Sequence, residues 1–182
     1  MDLFSFCGLD QSGKTTIINK VKEKLGNGVF YYTKEPRIFT SDKIKKIIVP
    51  SKLNFLFFLI DRLLHKLKLF KHRNKIIISD RSIVCGIAYA YATKYKFNFH
   101  ITKFYCNFKK IIPVPHIVFY IVPEFQAENK EFNNTFRTNV KEGYEKVAFS
   151  LFPDTVIVKL HNKQDQVEDC INKAIEIITK FK

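Results

Sequence analysis

Two glycines bracket four residues ahead of Lys14 and Thr15 in the run Gly8-Leu9-Asp10-Gln11-Ser12-Gly13-Lys14-Thr15, and Thr16 follows. Glycines let backbone N–H groups curl round an anion without Cβ clashes. A helix starting at the end of such a loop adds the positive end of its dipole. In this pattern Lys14 reaches the β/γ-phosphates of a nucleoside triphosphate and the Thr15 hydroxyl holds Mg²⁺. A second polar pair, Asp80-Arg81, ends the apolar run Ile76-Ile77-Ile78-Ser79. An aspartate there can hold the same ion directly or through water, and an arginine beside it is a bidentate phosphate donor. Phe58 and Arg62 lie four residues apart, on one face of a helix.

The elements that must position these groups are legible from periodicity. Leu3 to Cys7 reads as a short strand before the loop, and Ile17, Ile18, Val21 and Leu25 mark the helix after it. Further strands are expected at Val29–Thr33, Lys75–Ser79, His116–Val122 and Thr155–Leu160. Helices are expected at Ser41–Val49, about Ser51–Phe70, Ile83–Tyr95, Phe99–Lys110, Phe136–Phe149 and Gln164–Lys180. Strands alternating with helices imply an α/β fold with a doubly wound, mainly parallel five-stranded sheet. The charged ends Glu35-Pro36-Arg37 and Asp80-Arg81 then fall at carboxyl ends of strands, where ligands bind in open sheets. Glu124 to Thr135 is polar and irregular and reads as a loop.

Composition bounds the rest. A length of 182 residues suits a single domain spanning 1–182, with a short lid at about 123–136. The apolar stretch Leu53–Leu64 is too short and too charged to span a bilayer, and Met1-Asp2 opens into a strand without a leader, so a cytoplasmic protein with no membrane partner is expected. Cys7, Cys85, Cys106 and Cys170 show no CxxC pair and no zinc-ligand spacing with histidines, and reduced thiols are the simplest reading. The net charge of +14 raises nucleic acid as a partner. Its lysines are spread over helix faces, however, and charge alone gives non-specific association, so nucleic acid is not expected. The densest basic run, His65 to Arg73, reads as the solvated end of a helix.

Taken together, the motifs resemble the thymidylate kinases over nearly the whole chain. Phe6 to Thr16 is similar to their phosphate loop, including the Asp in its middle. Thr33-Lys34-Glu35-Pro36 is similar to their Thr-Arg-Glu-Pro element, and Phe57 to Arg62 to the segment whose Phe stacks on thymine. Asp80 to Tyr89 resembles their Asp-Arg-Tyr-x-x-Ser-x-x-Ala-Tyr motif, Pro115 to Ile121 their Pro-Asp-Leu-x-x-Tyr-Leu strand, and Val140 to Tyr144 the start of their helix after the lid. The resemblance implies transfer of the ATP γ-phosphoryl group to dTMP, giving dTDP, with ATP and Mg²⁺ as cofactors and small nucleotides as partners; a homodimer is left open. By the same resemblance Asp10, Lys14, Asp80, Arg81 and Arg137 are catalytic and Gly8 to Thr16 bind ATP. Glu35, Arg37, Phe58, Arg62, Arg81, Cys85 and Tyr89 bind the acceptor, and Thr15 and Asp80 hold the metal.

Departures from the pattern keep two alternatives in view: a deoxynucleotide or deoxynucleoside kinase of other base specificity, and a catalytically impaired NTP-binding protein. Gln11 stands where one branch of the family has a catalytic Arg, and Pro123 to Thr135 contains no Arg, which leaves Arg137 as the nearby candidate. Cys85 replaces the motif's Ser, and Ala90 follows Tyr89 where Gln is common.

Overall fold

Leu3–Gly8 (β1) is buried along its whole length, as a strand with apolar side chains on both faces must be at the centre of a parallel sheet. The computed structural model describes residues 2–34, 53–92, 112–124, 134–163 and 167–181, with backbone alone over 53–59. Its sheet contains β1, β2 (Phe30–Lys34), β3 (Ile76–Asp80), β4 (Ile117–Pro123) and β5 (Val156–Asn162) in the order β2-β3-β1-β4-β5, every pairing parallel. The expected doubly wound, parallel five-stranded architecture is therefore present. The helices are α1 (Lys14–Leu25), α2 (Leu53–Phe70), α3 (Ile83–Ala92), α4 (Asn134–Glu142), α5 (Phe149–Leu151) and α6 (Val167–Thr179). A π-helical segment, Gly143–Ala148, joins α4 to α5 in place of the continuous α-helix expected there. The expected helices at 41–49 and 99–110 lie outside the described residues.

Period-two alternation along the strands builds two cores. Phe4 and Phe6 of β1, with Phe119 of β4, meet Ile17 and Val21 of α1 and Ile171, Ala174 and Ile178 of α6 on one face. The Phe6 and Phe119 rings sit 4.8 Å apart. On the other face Cys7 and Tyr120 meet Val84, Ile87 and Ala88 of α3 together with Val140 and Tyr144. Leu69 of α2 joins Leu3 and Ile77 on that same face. The basic run at 65–73 is thus not simply a solvated end: His65 and Leu69 are buried, and the His72 ring stacks on Tyr31 with centroids 3.6 Å apart.

Cys7 and Cys85 are joined as a disulfide, which overturns the expectation of scattered, reduced thiols. Seventy-eight residues separate them, so spacing along the chain held no sign of the pairing. The pairing arises because Cys7 ends the inward-facing row of β1 where α3 crosses it, bringing the two Cα atoms to 5.8 Å. In the chain-entropy picture, closing a loop of that length stabilises the fold by about 4 kcal/mol. Cys170 is buried and free. Alkylation in denaturant followed by peptide mapping should label Cys170 at once and Cys7 and Cys85 only after reduction; labelling of Cys7 without reductant would show the bond to be absent.

Candidate active site

Within the loop after β1 the Ser12 N–H donates to the Leu9 carbonyl at 3.2 Å. Gly8 has φ 144°, and a Cβ there would come 2.6 Å from the Ile121 carbonyl oxygen, so no other residue fits the turn without displacing β4. Gly13 caps α1 with no side-chain hydrogen bond, so the first N–H groups of that helix have no side-chain cap from it. An anion is the natural partner for such a helix end. Gln11 and Arg81 are the non-glycine residues with positive φ among those described, 63° and 72°, and both line the same cleft. Left-handed backbone costs such residues about 1–2 kcal/mol each, a strain typical of ligand sites.

Lys14 begins α1 and folds back across the loop, its Nζ donating to the Leu9 carbonyl oxygen and, at 3.3 Å, to Ser12 Oγ. Burial, followed by the neighbouring Arg81 charge, lowers its pKa from 10.5 to about 8. The ammonium therefore sits where it lacks a full negative counter-charge, which a bound phosphate would supply.

Register brings the second polar pair to this loop, because Phe6 of β1 lies opposite Asp80 of β3. The Arg81 N–H donates to the Phe6 carbonyl at 3.1 Å, and Ser79 Oγ donates to the Arg81 carbonyl at 2.8 Å, pinning the left-handed turn. The Arg81 guanidinium is ion-paired with Asp10 and lies 5.1 Å over the Tyr89 ring. Burial opposes the Arg81 charge, but Tyr89 and Asp10 outweigh it and hold the group protonated. Burial likewise pushes the Tyr89 phenol up to about 12. Asp10, Lys14, Thr15, Lys34, Asp80 and Arg81 thus surround a cleft of about 360 Å³, within the range of ligand sites, and Gln11, Gly13 and Thr16 complete its wall.

The other expected site residues divide. Arg62 is buried on α2, and one turn further His65 is held neutral, its pKa lowered to about 4 by burial and by Arg62. Cys85 faces Cys7 and the core. Arg137 lies on α4 and is not among the residues that line the cleft; its neighbour Phe136 meets the Tyr89 ring edge-on at 6.2 Å. Glu35, Arg37, the Phe58 side chain and positions 125–133 of the expected lid lie outside the described residues.

Sequence reasoning missed three contributors. Lys34 Nζ is 3.8 Å from Asp80 Oδ2, and its position at the end of β2 beside Glu35 was the available signal. Asn162 Nδ2 donates to the Ser12 carbonyl at 2.8 Å from the end of β5. The Tyr144 hydroxyl meets Gly8. Nothing local to Asn162 or Tyr144 marks either as a partner of a loop well over a hundred residues away.

The sequence model of thymidylate kinases matches residues 6–171. The chain belongs to the thymidylate kinase family. It is 39% identical over 90 residues to the thymidylate kinase of Sulfurimonas denitrificans, covering 46% of each chain. Against the thymidylate kinase of Helicobacter hepaticus it is 38% identical over 95 residues, 46% of this chain and 48% of that one. The chain thus spans about half the length of the curated relatives it matches. Its fold matches the crystal structure of thymidylate kinase from Ehrlichia chaffeensis with a TM-score of 0.69 at 22% identity, over 97% of this chain and 98% of that one. Among the described residues no helix is long and apolar enough to cross a membrane.

Membership in the thymidylate kinase family gives the Lys14 environment a measurable consequence. A bound phosphate favours the protonated amine, so affinity for inorganic triphosphate at this cleft should be flat below about pH 8 and fall about tenfold per pH unit above it. The empty protein should respond oppositely: the unfolded chain keeps this proton up to about 10.5 and the folded one releases it near 8, so stability from this group rises with pH across that window. Calorimetric titration of inorganic triphosphate from pH 7 to 9.5 checks the first statement, and Lys14→Arg, which stays charged throughout, should bind more weakly but without the slope.

Proposed function

We propose that this cleft transfers the γ-phosphoryl group of ATP to the 5′-phosphate of dTMP, giving dTDP and ADP. The observation that carries the reading is the convergence of Lys14, Asp10, Asp80 and Arg81 on one cleft at the start of α1, in a chain whose sequence matches the thymidylate kinase model. In the transfer, the bond from the γ-phosphorus to the β–γ bridging oxygen breaks and a new one forms to an acceptor phosphate oxygen. That acceptor is a monoester with a second pKa near 6, so it arrives already deprotonated and needs no general base. Asp10 is accordingly assigned to orient Arg81 rather than to remove a proton. Arg81 offers two parallel N–H donors to the acceptor phosphate. Lys14 and the free amides at the start of α1 hold the ATP phosphates.

Magnesium fits the donor set. Thr15 and Asp80 offer hard oxygen ligands at the mouth of the cleft, and an ion that keeps most of its waters needs only one or two protein ligands of this kind. When bound, it would neutralise charge on the ATP phosphates. Lys34 already balances Asp80 there, which suits a site that exchanges its cation with the nucleotide. Arg137 supplies the fork-shaped cation that neither Gln11 nor the stretch 123–135 provides. A nucleotide-biosynthetic role in the cytoplasm accords with this chemistry, and full burial of the Cys7–Cys85 bond keeps it from exchange with cellular thiols.

Cys85 favours a looser acceptor preference as a second reading, because a side chain bonded to Cys7 cannot also meet a base. Base choice then falls to Arg62 and Phe58. A coupled assay of ADP formation over a panel of nucleoside monophosphates separates the readings. dTMP should give the highest kcat/KM, a different best acceptor would replace the substrate while leaving the reaction, and no ADP with any acceptor would overturn the kinase reading. Arg137→Ala should lower kcat at least about a hundredfold with ATP affinity nearly unchanged, the pattern of a group engaged mainly in the transition state. An unchanged kcat removes Arg137 from the mechanism.

A further inference from the structure

Gly8 has a partner that the reaction as described does not use. Its N–H donates to the Tyr144 hydroxyl at 3.2 Å, and the same hydroxyl donates back to the Gly8 carbonyl at 3.4 Å. Tyr144 is fully buried, its ring held against Tyr120 at 4.8 Å and Phe149 at 5.8 Å. It reaches Gly8 because Gly143, the residue before it, lets the π-helical segment close onto α3: a Cβ at 143 would lie 2.5 Å from the Ala88 carbonyl oxygen. A π-helical turn inserted into an α-helix is itself frequent at functional sites, since it redirects one side chain without breaking the helix.

We propose that Tyr144 is a positioning residue for the nucleotide phosphates, its phenol fixing the first peptide of the phosphate loop so that the amides beyond it stay aimed at the anion. The argument runs through Gly8. Its φ of 144° lies off the basin of an ordinary strand end, and the peptide there must turn for Leu9, Asp10 and Gln11 to leave the sheet plane. A hydroxyl can act as donor and acceptor at once, which a carboxylate, an ammonium or a phenyl ring cannot. One neutral phenol therefore satisfies both polar atoms of Gly8 in that orientation. Burial raises the Tyr144 pKa well above 10, so the group keeps its proton at any working pH. The same segment continues α4, so one helical unit reaches from Asn134 to the loop after β1.

The inference rests on the functional reading only in taking ATP as the ligand of the loop, and direct binding separates the two. Calorimetry with MgATP and, separately, with dTMP on Tyr144→Phe should show ATP affinity weakened about tenfold and dTMP affinity changed less than threefold. Tyr120→Phe, which removes a hydroxyl from the same aromatic cluster, should leave ATP affinity at the wild-type value and serves as the control for burial alone. ATP binding unchanged in Tyr144→Phe, or equal losses for both ligands, overturns the proposal while leaving the kinase reading intact. A wild-type protein that binds no ATP overturns both. Should Tyr144→Phe not fold, 3,5-difluorotyrosine at 144 keeps the shape but makes the oxygen a poorer acceptor. A selective loss of ATP affinity in that protein supports the proposal and unchanged affinity overturns it.

Discussion

Backbone amides that bind a phosphate must stay unsatisfied by the protein itself, and much of this molecule follows from that constraint. A loop with unpaired N–H groups at a helix start is held open only if its other polar atoms are tied down from behind. Here the ties are distributed: Lys14 to the Leu9 carbonyl, Asn162 to the Ser12 carbonyl, and the Tyr144 hydroxyl to Gly8. They come from α1, β5 and the π-helical segment, so elements on both faces of the sheet must be in place before the loop has its shape. Gly13 contributes by lacking a side-chain cap, since a capping hydroxyl would compete with the ligand for the same N–H groups.

Charge is arranged by the same logic. Lys14, Arg81 and Lys34 crowd one cleft with Asp10 and Asp80, and the two carboxylates are set so that each answers a cation. The residual imbalance falls on Lys14, whose lowered pKa registers a positive group buried without its full counter-charge. The cleft is thus poised for a polyanion at little cost in reorganisation, the condition under which electrostatic stabilisation contributes most to catalysis. The net charge of +14 on the chain is a separate matter: it bears on encounter with anions in general, whereas the cleft bears on one of them.

The sheet carries the two halves of the site to each other. Because β1 and β3 are neighbours with Phe6 opposite Asp80, the loop and the Asp80-Arg81 turn emerge side by side, and the Arg81 N–H to Phe6 carbonyl bond locks their separation. The buried Cys7–Cys85 bond repeats that lock one layer below, between β1 and α3. Substitutions in either core would reach the chemistry through this register, since a parallel strand cannot slip without moving every side chain to the other face.

Fold class, strand order along the chain, the phosphate loop and the Asp80-Arg81 turn were all legible in the sequence by itself, because each depends on residues contiguous in the chain. Periodicity reports which face is buried, and a phosphate loop works through consecutive amides. Strand ends differed by one or two residues, since a ladder ends where its neighbour ends. Tertiary structure alone decided the pairing of Cys7 with Cys85, the burial of His65, the π-helical turn at Gly143, and the reach of Lys34, Asn162 and Tyr144 to the site. Those contacts join residues 46, 150 and 136 positions apart, or 78 for the disulfide, and no local pattern encodes a partner at such a distance. The pairing of β2 with β3 sets Lys34 beside Asp80, and the closing of α3 and the π-helical segment over β1, with β5 beside β4, brings the other pairs within bonding range.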